Sequence, residues 1–154
     1  MLQENKNKGT DIYSITKIQK IIVGIKMDTE LHSMKLQDLV TRVFETLGMA
    51  CLHPMQIFKH KLADSRLSYV IKHKGSQSEY TGIIIRDWKR VVGVGQIHKA
   101  EELLQTCQPM LNKIIIVSSM GFSYSAQRLA EKTEIGLLTR GELVSLIMNR
   151  VEVL

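Results

Sequence analysis

Near the middle of the chain an apolar run breaks into closely spaced charges: Gly82-Ile83-Ile84-Ile85-Arg86-Asp87-Trp88-Lys89-Arg90. A mostly apolar strand places Arg, Asp and Lys in succession where it leaves the core, at a site or at a sheet edge. On an extended strand Asp87 and Lys89 share one face, and Arg86 and Trp88 share the other. An acidic residue two positions before a lysine suits metal-dependent phosphodiester chemistry. The carboxylate holds Mg²⁺, and the lysine positions water or neutralises charge developing on the phosphate. A second carboxylate is required, and Asp64, at the start of the preceding strand, is the available one. In this reading Asp64, Asp87 and Lys89 are catalytic and Asp64 and Asp87 bind Mg²⁺.

The surrounding charge is of one sign. The 154 residues carry a net charge of +6, and the excess is concentrated mid-chain. Residues 59–74 hold Lys59, Lys61, Arg66, Lys72 and Lys74 against Asp64. Residues 86–99 hold Arg86, Lys89, Arg90 and Lys99 against Asp87. Such a concentration favours a polyanionic partner, with a solvated hairpin face as the plainer explanation.

Other motifs point to structural roles. His53, His60 and His73 are too irregularly spaced for a zinc site. Val92-Gly93-Val94-Gly95-Gln96 has half of a dinucleotide loop and lacks its third glycine. Gly121-Phe122-Ser123-Tyr124 offers either backbone N–H groups to a phosphate or a plain helix N-cap.

The elements that must position these residues can be read from periodicity. Residues 1–11 are polar and expected to form a mobile arm, and residues 12–26 favour a helix. Leu36, Leu39, Val40, Val43, Phe44 and Leu47 recur on one helix face, with Asp28 or Thr29 as the expected cap and Gly48 as the stop, about five turns in all. Met55 to Phe58, Leu67 to Ile71 and Tyr80 to Trp88 are β-rich runs, the last two separated by the turn-rich Lys74–Ser78, and predict an antiparallel meander. The second half alternates. Ile97, Ala100, Leu103, Leu104 and Cys107 form a helix stripe, and Ile114 to Val117 is a run suited to burial on both faces of a parallel sheet. A short helix with Ala126, Leu129 and Ala130, a strand over Ile135 to Leu138 and a helix from Gly141 to Asn149 complete the pattern. The order predicts an α/β domain, a mixed sheet with helices on both faces.

Composition excludes several classes. The longest apolar runs fall far below the ~20 residues of a membrane span. Cys51 and Cys107 form neither a disulfide framework nor a zinc spacing, so reduced thiols in a cytoplasmic protein are expected.

Four stretches, in order, resemble the Mrr-type restriction endonuclease domain of the PD-(D/E)XK nuclease superfamily. They are Met34 to Val40 running to Phe44-Glu45-Thr46-Leu47-Gly48, then Arg86 to Val94, then Ile116 to Ser123 with Ala126 and Ala130, and finally Ile135 to Leu143. The resemblance implies a restriction-endonuclease-like mixed β-sheet flanked by helices over residues 28–154, preceded by an N-terminal arm or extra element over 1–27. It also places Arg86 at the family's catalytic lysine, Ile84 at its Gln or Glu, and Ser68 at its metal-binding Asp. A one-residue slip would instead bring Asp87 and Lys89 to the site, and would turn every side chain of the strand to the opposite face. The gapless match at Trp88 and Val92-Gly93 favours the first register.

The reading that follows is a DNA-binding domain with a lost or impaired nuclease site and no cofactor. Arg86, Lys89, Arg90, Lys72 and Lys74 are the expected DNA contacts, and Trp88 is expected in the core rather than stacked on a base. The alternatives are an active Mg²⁺-dependent DNA endonuclease, and a structural or assembly module acting through protein contacts as a homodimer.

Overall fold

The computed structural model describes residues 4–58, 66–73 and 79–153. The chain divides into two compact units, Met1–Met34 and Lys35–Leu154.

The first unit is a single helix, α1 (Glu4–Ser33). The polar residues expected as an arm are helical from Glu4 onward, continuous with the helix expected over 12–26. Thr29 does not cap a following helix: its hydroxyl donates back to the Ile25 carbonyl at 3.0 Å, the i−4 bond of a threonine inside a helix. Asp28 pairs along the same helix with His32 at 3.4 Å.

The second unit opens with α2 (Leu36–Thr46), which starts later than the sequence suggested, with Lys35 at its N-cap and no side-chain cap. It is 11 residues long, three turns rather than five. Its buried stripe is the expected one, Leu36, Leu39, Val40, Val43 and Phe44. Gly48 ends it in the left-handed region at φ +84°, where a Cβ would be strained.

Five strands follow, β1 (Met49–Leu52), β2 (Tyr69–His73), β3 (Tyr80–Arg86), β4 (Leu111–Ser118) and β5 (Ile135–Thr139), in spatial order β1-β2-β3-β4-β5. The first three are antiparallel neighbours, and β3, β4 and β5 are parallel. The meander and the mixed sheet are thus as expected, but its first strand is not Met55 to Phe58. Pro54 has no N–H to give a ladder, and Pro54–Gln56 is a 3₁₀ turn capped by His53, whose Nδ1 accepts from the Met55 N–H. The second strand begins two residues after Leu67, and β3 stops at Arg86, so Asp87 to Arg90 lie beyond it. The expected turn over Lys74–Ser78 lies outside the described residues.

The crossovers are α3 (Val94–Cys107) and α4 (Tyr124–Glu131), and α5 (Arg140–Val153) closes the chain. On one face of the sheet Val70, Ile84, Ile114, Ile116 and Ile135 pack with Ile97, Ala100, Leu103, Leu104 and Cys107 of α3 and Ala126 of α4. The other face belongs to α2 and α5: Tyr69, which alternates with Val70, accepts a hydrogen bond from Gln37 of α2 at 2.9 Å. Ile114, Ile116, Val117 and Ser118 of β4 are fully buried between parallel neighbours. No helix among the described residues is long and apolar enough to cross a membrane.

Candidate functional site: a cationic cleft at the end of strand β3

Alternation along β3 puts Ile84 and Arg86 on the face turned toward α3. Helix α3 in turn presents Gln96, Lys99, Ala100 and Leu103, with Lys99 and Ala100 three and four residues after Gln96 and Leu103 three after Ala100, one stripe of an α-helix. Between them lies a cleft of about 390 Å³ whose walls also include Trp88, Arg66, Glu102 and Ile116. Its floor is aliphatic. Its described charges are three cations, Arg66, Arg86 and Lys99, and one carboxylate, Glu102.

Arg86 is the best held of the three. Its Nε donates to Gln96 Oε1 at 3.1 Å and one Nη donates to the Ile85 carbonyl at 3.4 Å. Both partners are neutral, and Glu79 is exposed at the other end of β3. Burial lowers the guanidinium pKa below its ordinary value, because desolvation penalises the charged form. The group stays protonated at neutral pH.

Trp88 also lines the cleft and packs against the core cluster, in keeping with the core role expected for it. The Arg86 and Arg90 guanidinium carbons lie 5.2 Å and 4.7 Å from its ring centroid, within cation–π range. Ser68 lies against β3 at the level of Ile84. Its N–H donates to the Ile83 carbonyl at 2.8 Å, and its hydroxyl accepts from the Ile85 N–H at 3.1 Å. The loop after β3 is tied down by Ser119, which donates its hydroxyl to the Trp88 carbonyl at 3.0 Å.

The structure thus brings together Ile84, Arg86, Trp88 and, beside them, Ser68. Asp87, Lys89 and Arg90 are exposed past the strand end, and Asp87 and Lys89 do not line the cleft. Lys72 sits at the opposite end of the sheet. It pairs across the strands with Tyr80, 5.8 Å from that ring's centroid, and the length of β3 separates it from Arg86 by roughly 20 Å. Asp64 and Lys74 lie outside the described residues. At Gly121-Phe122-Ser123-Tyr124 the Ser123 hydroxyl accepts the Ala126 N–H at 3.1 Å, a plain N-cap.

Arg66, Gln96 and Lys99 were not among the sequence-derived site residues. The 96-99-100-103 stripe was available in the sequence. It runs beside the deeper 97-100-104-107 stripe, whose apolar residues dominate any periodicity search.

No curated protein matches this chain. Among solved structures it is similar to the MspJI restriction endonuclease in complex with a 27-mer oligonucleotide, at 15% identity and a TM-score of 0.48, over 90% of this chain and 31% of that one. The chain therefore spans about a third of that protein's length. Residues 28–147 match the family model of the Mrr catalytic domain, described as a restriction endonuclease. With most of its length inside that match, the chain belongs to the Mrr-type restriction endonuclease family, and its five-stranded mixed sheet with flanking helices is a restriction-endonuclease-like nuclease fold.

Proposed function

We propose that this domain grips the sugar–phosphate backbone of DNA and holds it without cutting. The observation that carries the reading is the side-chain set that β3 turns to the cleft, Ile84 and Arg86 followed by Trp88. A divalent cation takes a shell of oxygen ligands. The described lining instead offers Arg66, Arg86 and Lys99 against Glu102, a set that suits an anion and does not fit Mg²⁺. Among the described residues no group of three His, Cys, Asp or Glu side chains is placed to hold a metal. Ser68, at the position the resemblance gives to a metal-binding Asp, already has its hydroxyl engaged by the Ile85 N–H.

Arg86 supplies what the lost ion would have done for binding. Its guanidinium is oriented by Gln96 and the Ile85 carbonyl, and its remaining N–H groups form a planar fork that matches two phosphate oxygens. Lys99 and Arg66 add charge on either side. Lys89 and Arg90, exposed beyond the strand, extend the contact to neighbouring phosphates. Backbone contacts of this kind are independent of base sequence and weaken with salt. A DNA-binding role fits a cytoplasmic placement, the one expected from the sequence.

The test is a gel assay on labelled duplex DNA with Mg²⁺ or Mn²⁺ against EDTA, with Arg86→Glu and Asp87→Ala in parallel. We expect shifted, intact DNA in every buffer and loss of the shift in folded Arg86→Glu. Metal-dependent product that disappears in Asp87→Ala would make the domain an active endonuclease built on Asp64, Asp87 and Lys89. Neither cutting nor shifting would favour an assembly module, and the solution mass would then show whether it is a homodimer.

A further inference from the structure

Among the described residues of the Lys35–Leu154 unit the exposed large hydrophobic side chains are Met55, Val91, Met110, Met120, Tyr124 and Leu146. Three of these, Val91 and Met120 on the loops that follow β3 and β4 and Tyr124 at the first position of α4, have exposures of 52%, 58% and 72%. Those loops are zipped to each other. Val92 and Phe122 form a parallel bridge, the Val92 N–H donates to the Gly121 carbonyl at 2.9 Å, and the Ser123 N–H donates to the Val92 carbonyl at 2.9 Å. Val92 and Phe122 are buried. Val91, next to Val92, and Met120 and Tyr124, two residues to either side of Phe122, stay exposed around this bridge and form an apolar ridge at the same end of the sheet as Arg86.

The charge beside the ridge has one dominant sign. Arg86, Lys89 and Arg90 precede Val91, and Arg128 follows Tyr124, its guanidinium carbon 5.7 Å from the tyrosine ring centroid. Against these four cations, the stretches 86–93 and 119–128 contain a single acidic residue, Asp87. An apolar ridge set in such a field fits a polyanion that also exposes apolar faces. A continuous duplex hides its base faces in the stack and shows a protein only phosphates, sugars and groove edges. Unpaired or unstacked nucleotides expose those faces, and stacking on an aromatic side chain is tolerant of base identity. Met and other apolar side chains wedge between base steps where a duplex is already weakened. Trp88 is not the stacking platform, because it is half-buried and packed against the core cluster. Among the described residues the exposed aromatic is Tyr124.

We infer that the ridge of Val91, Met120 and Tyr124 engages unpaired bases, so that the preferred ligand of this domain is DNA at a discontinuity, such as a gap or flap, rather than an uninterrupted duplex. The inference rests on the backbone-binding function proposed above and adds the class of DNA to it.

Fluorescence anisotropy in EDTA tests this with two labelled probes of the same sequence, a continuous duplex and a duplex interrupted by a gap of a few nucleotides. The unmodified chain is expected to bind the gapped probe about tenfold more tightly, the order of one base–aromatic stack. Tyr124→Ala should collapse that ratio toward one, and Tyr124→Phe should retain it. Because Tyr124 is a surface residue, folding of both variants is checked by their circular dichroism and melting curves. No preference for the gapped probe, or a preference that survives Tyr124→Ala, overturns the inference and leaves the backbone-binding function standing. No binding to either probe overturns both.

Discussion

Arg86 is a cation kept where solvation is poor and no described carboxylate compensates it. Desolvation lowers its pKa, so its charge costs folding energy. The hydrogen bond to Gln96 and the contact with Trp88 return part of that cost. Arg86→Gln removes the penalty and those contacts together, so the melting temperature should stay within roughly 2 °C of the unmodified chain, since a change of 1 kcal/mol shifts a domain this size by only a few degrees. DNA affinity should meanwhile fall about tenfold or more, the value of a hydrogen bond to a charged group. A calorimetric scan and a binding titration on one preparation check both. A second residue has a pH signature. Burial, reinforced by the charge of Glu45, raises the Cys51 thiol from 9.0 to about 11. A thiol raised on folding adds no penalty below the unfolded pKa, and stability falls as pH rises from about 9 toward 11, where the unfolded chain ionises first. Cys51 is therefore expected to react slowly with a thiol reagent at pH 8 in the native state and rapidly in denaturant.

At the scale of elements, the second half of the chain was legible and the first half less so, for different physical causes. The α3 stripe and β4 announced themselves because a run buried on both faces, or a stripe with period 3.6, survives reading without tertiary knowledge. The stretch from Met49 to Ile71 did not. Its β1 is four residues of modest pattern, and the apolar run that looked stronger, Met55 to Phe58, is diverted by Pro54 and the reciprocal His53–Gln56 cap into a turn. The start of α2 was misjudged because Asp28 and Thr29 look like caps, yet both satisfy themselves within α1. The loop after β4 gives a prediction of its own. Gly121 sits at φ +87° and its carbonyl accepts from both the Val92 N–H and the Ser118 hydroxyl. Open space surrounds the position where a Cβ would stand, so Gly121→Ala meets only the conformational cost, about 1 kcal/mol for a left-handed residue. Ser123→Ala, which deletes the α4 cap, should cost about the same. Urea unfolding of the two single variants measures both.

At the scale of the whole molecule the question is which of its cations would meet DNA under the proposed function, and net charge cannot answer it. The sequence grouped Lys72 and Lys74 with Arg86, Lys89 and Arg90 because all are close in the chain. Folding then placed Lys72 at the far end of β3, beside Tyr80, while α3 brought Lys99, counted in the charge excess but not named as a DNA contact, to the cleft. The strand register that decides which side chains face the cleft is likewise a property of the assembled sheet, which is why the Asp87–Lys89 spacing alone was ambiguous. Salt titration separates these geometries. If Arg66, Arg86, Lys99, Lys89 and Arg90 each neutralise one phosphate, the logarithm of the association constant should fall against the logarithm of salt concentration with a slope of about −4 to −5, near −0.9 for each contact on B-form DNA. Arg86→Gln should make that slope shallower by about one. Lys72→Gln removes the same formal charge from the chain but stands roughly 20 Å of strand away from the cleft, so its slope should match that of the unmodified domain. Equal changes in the two variants would mean that the molecule's overall field, and not the cleft at the end of β3, carries the binding.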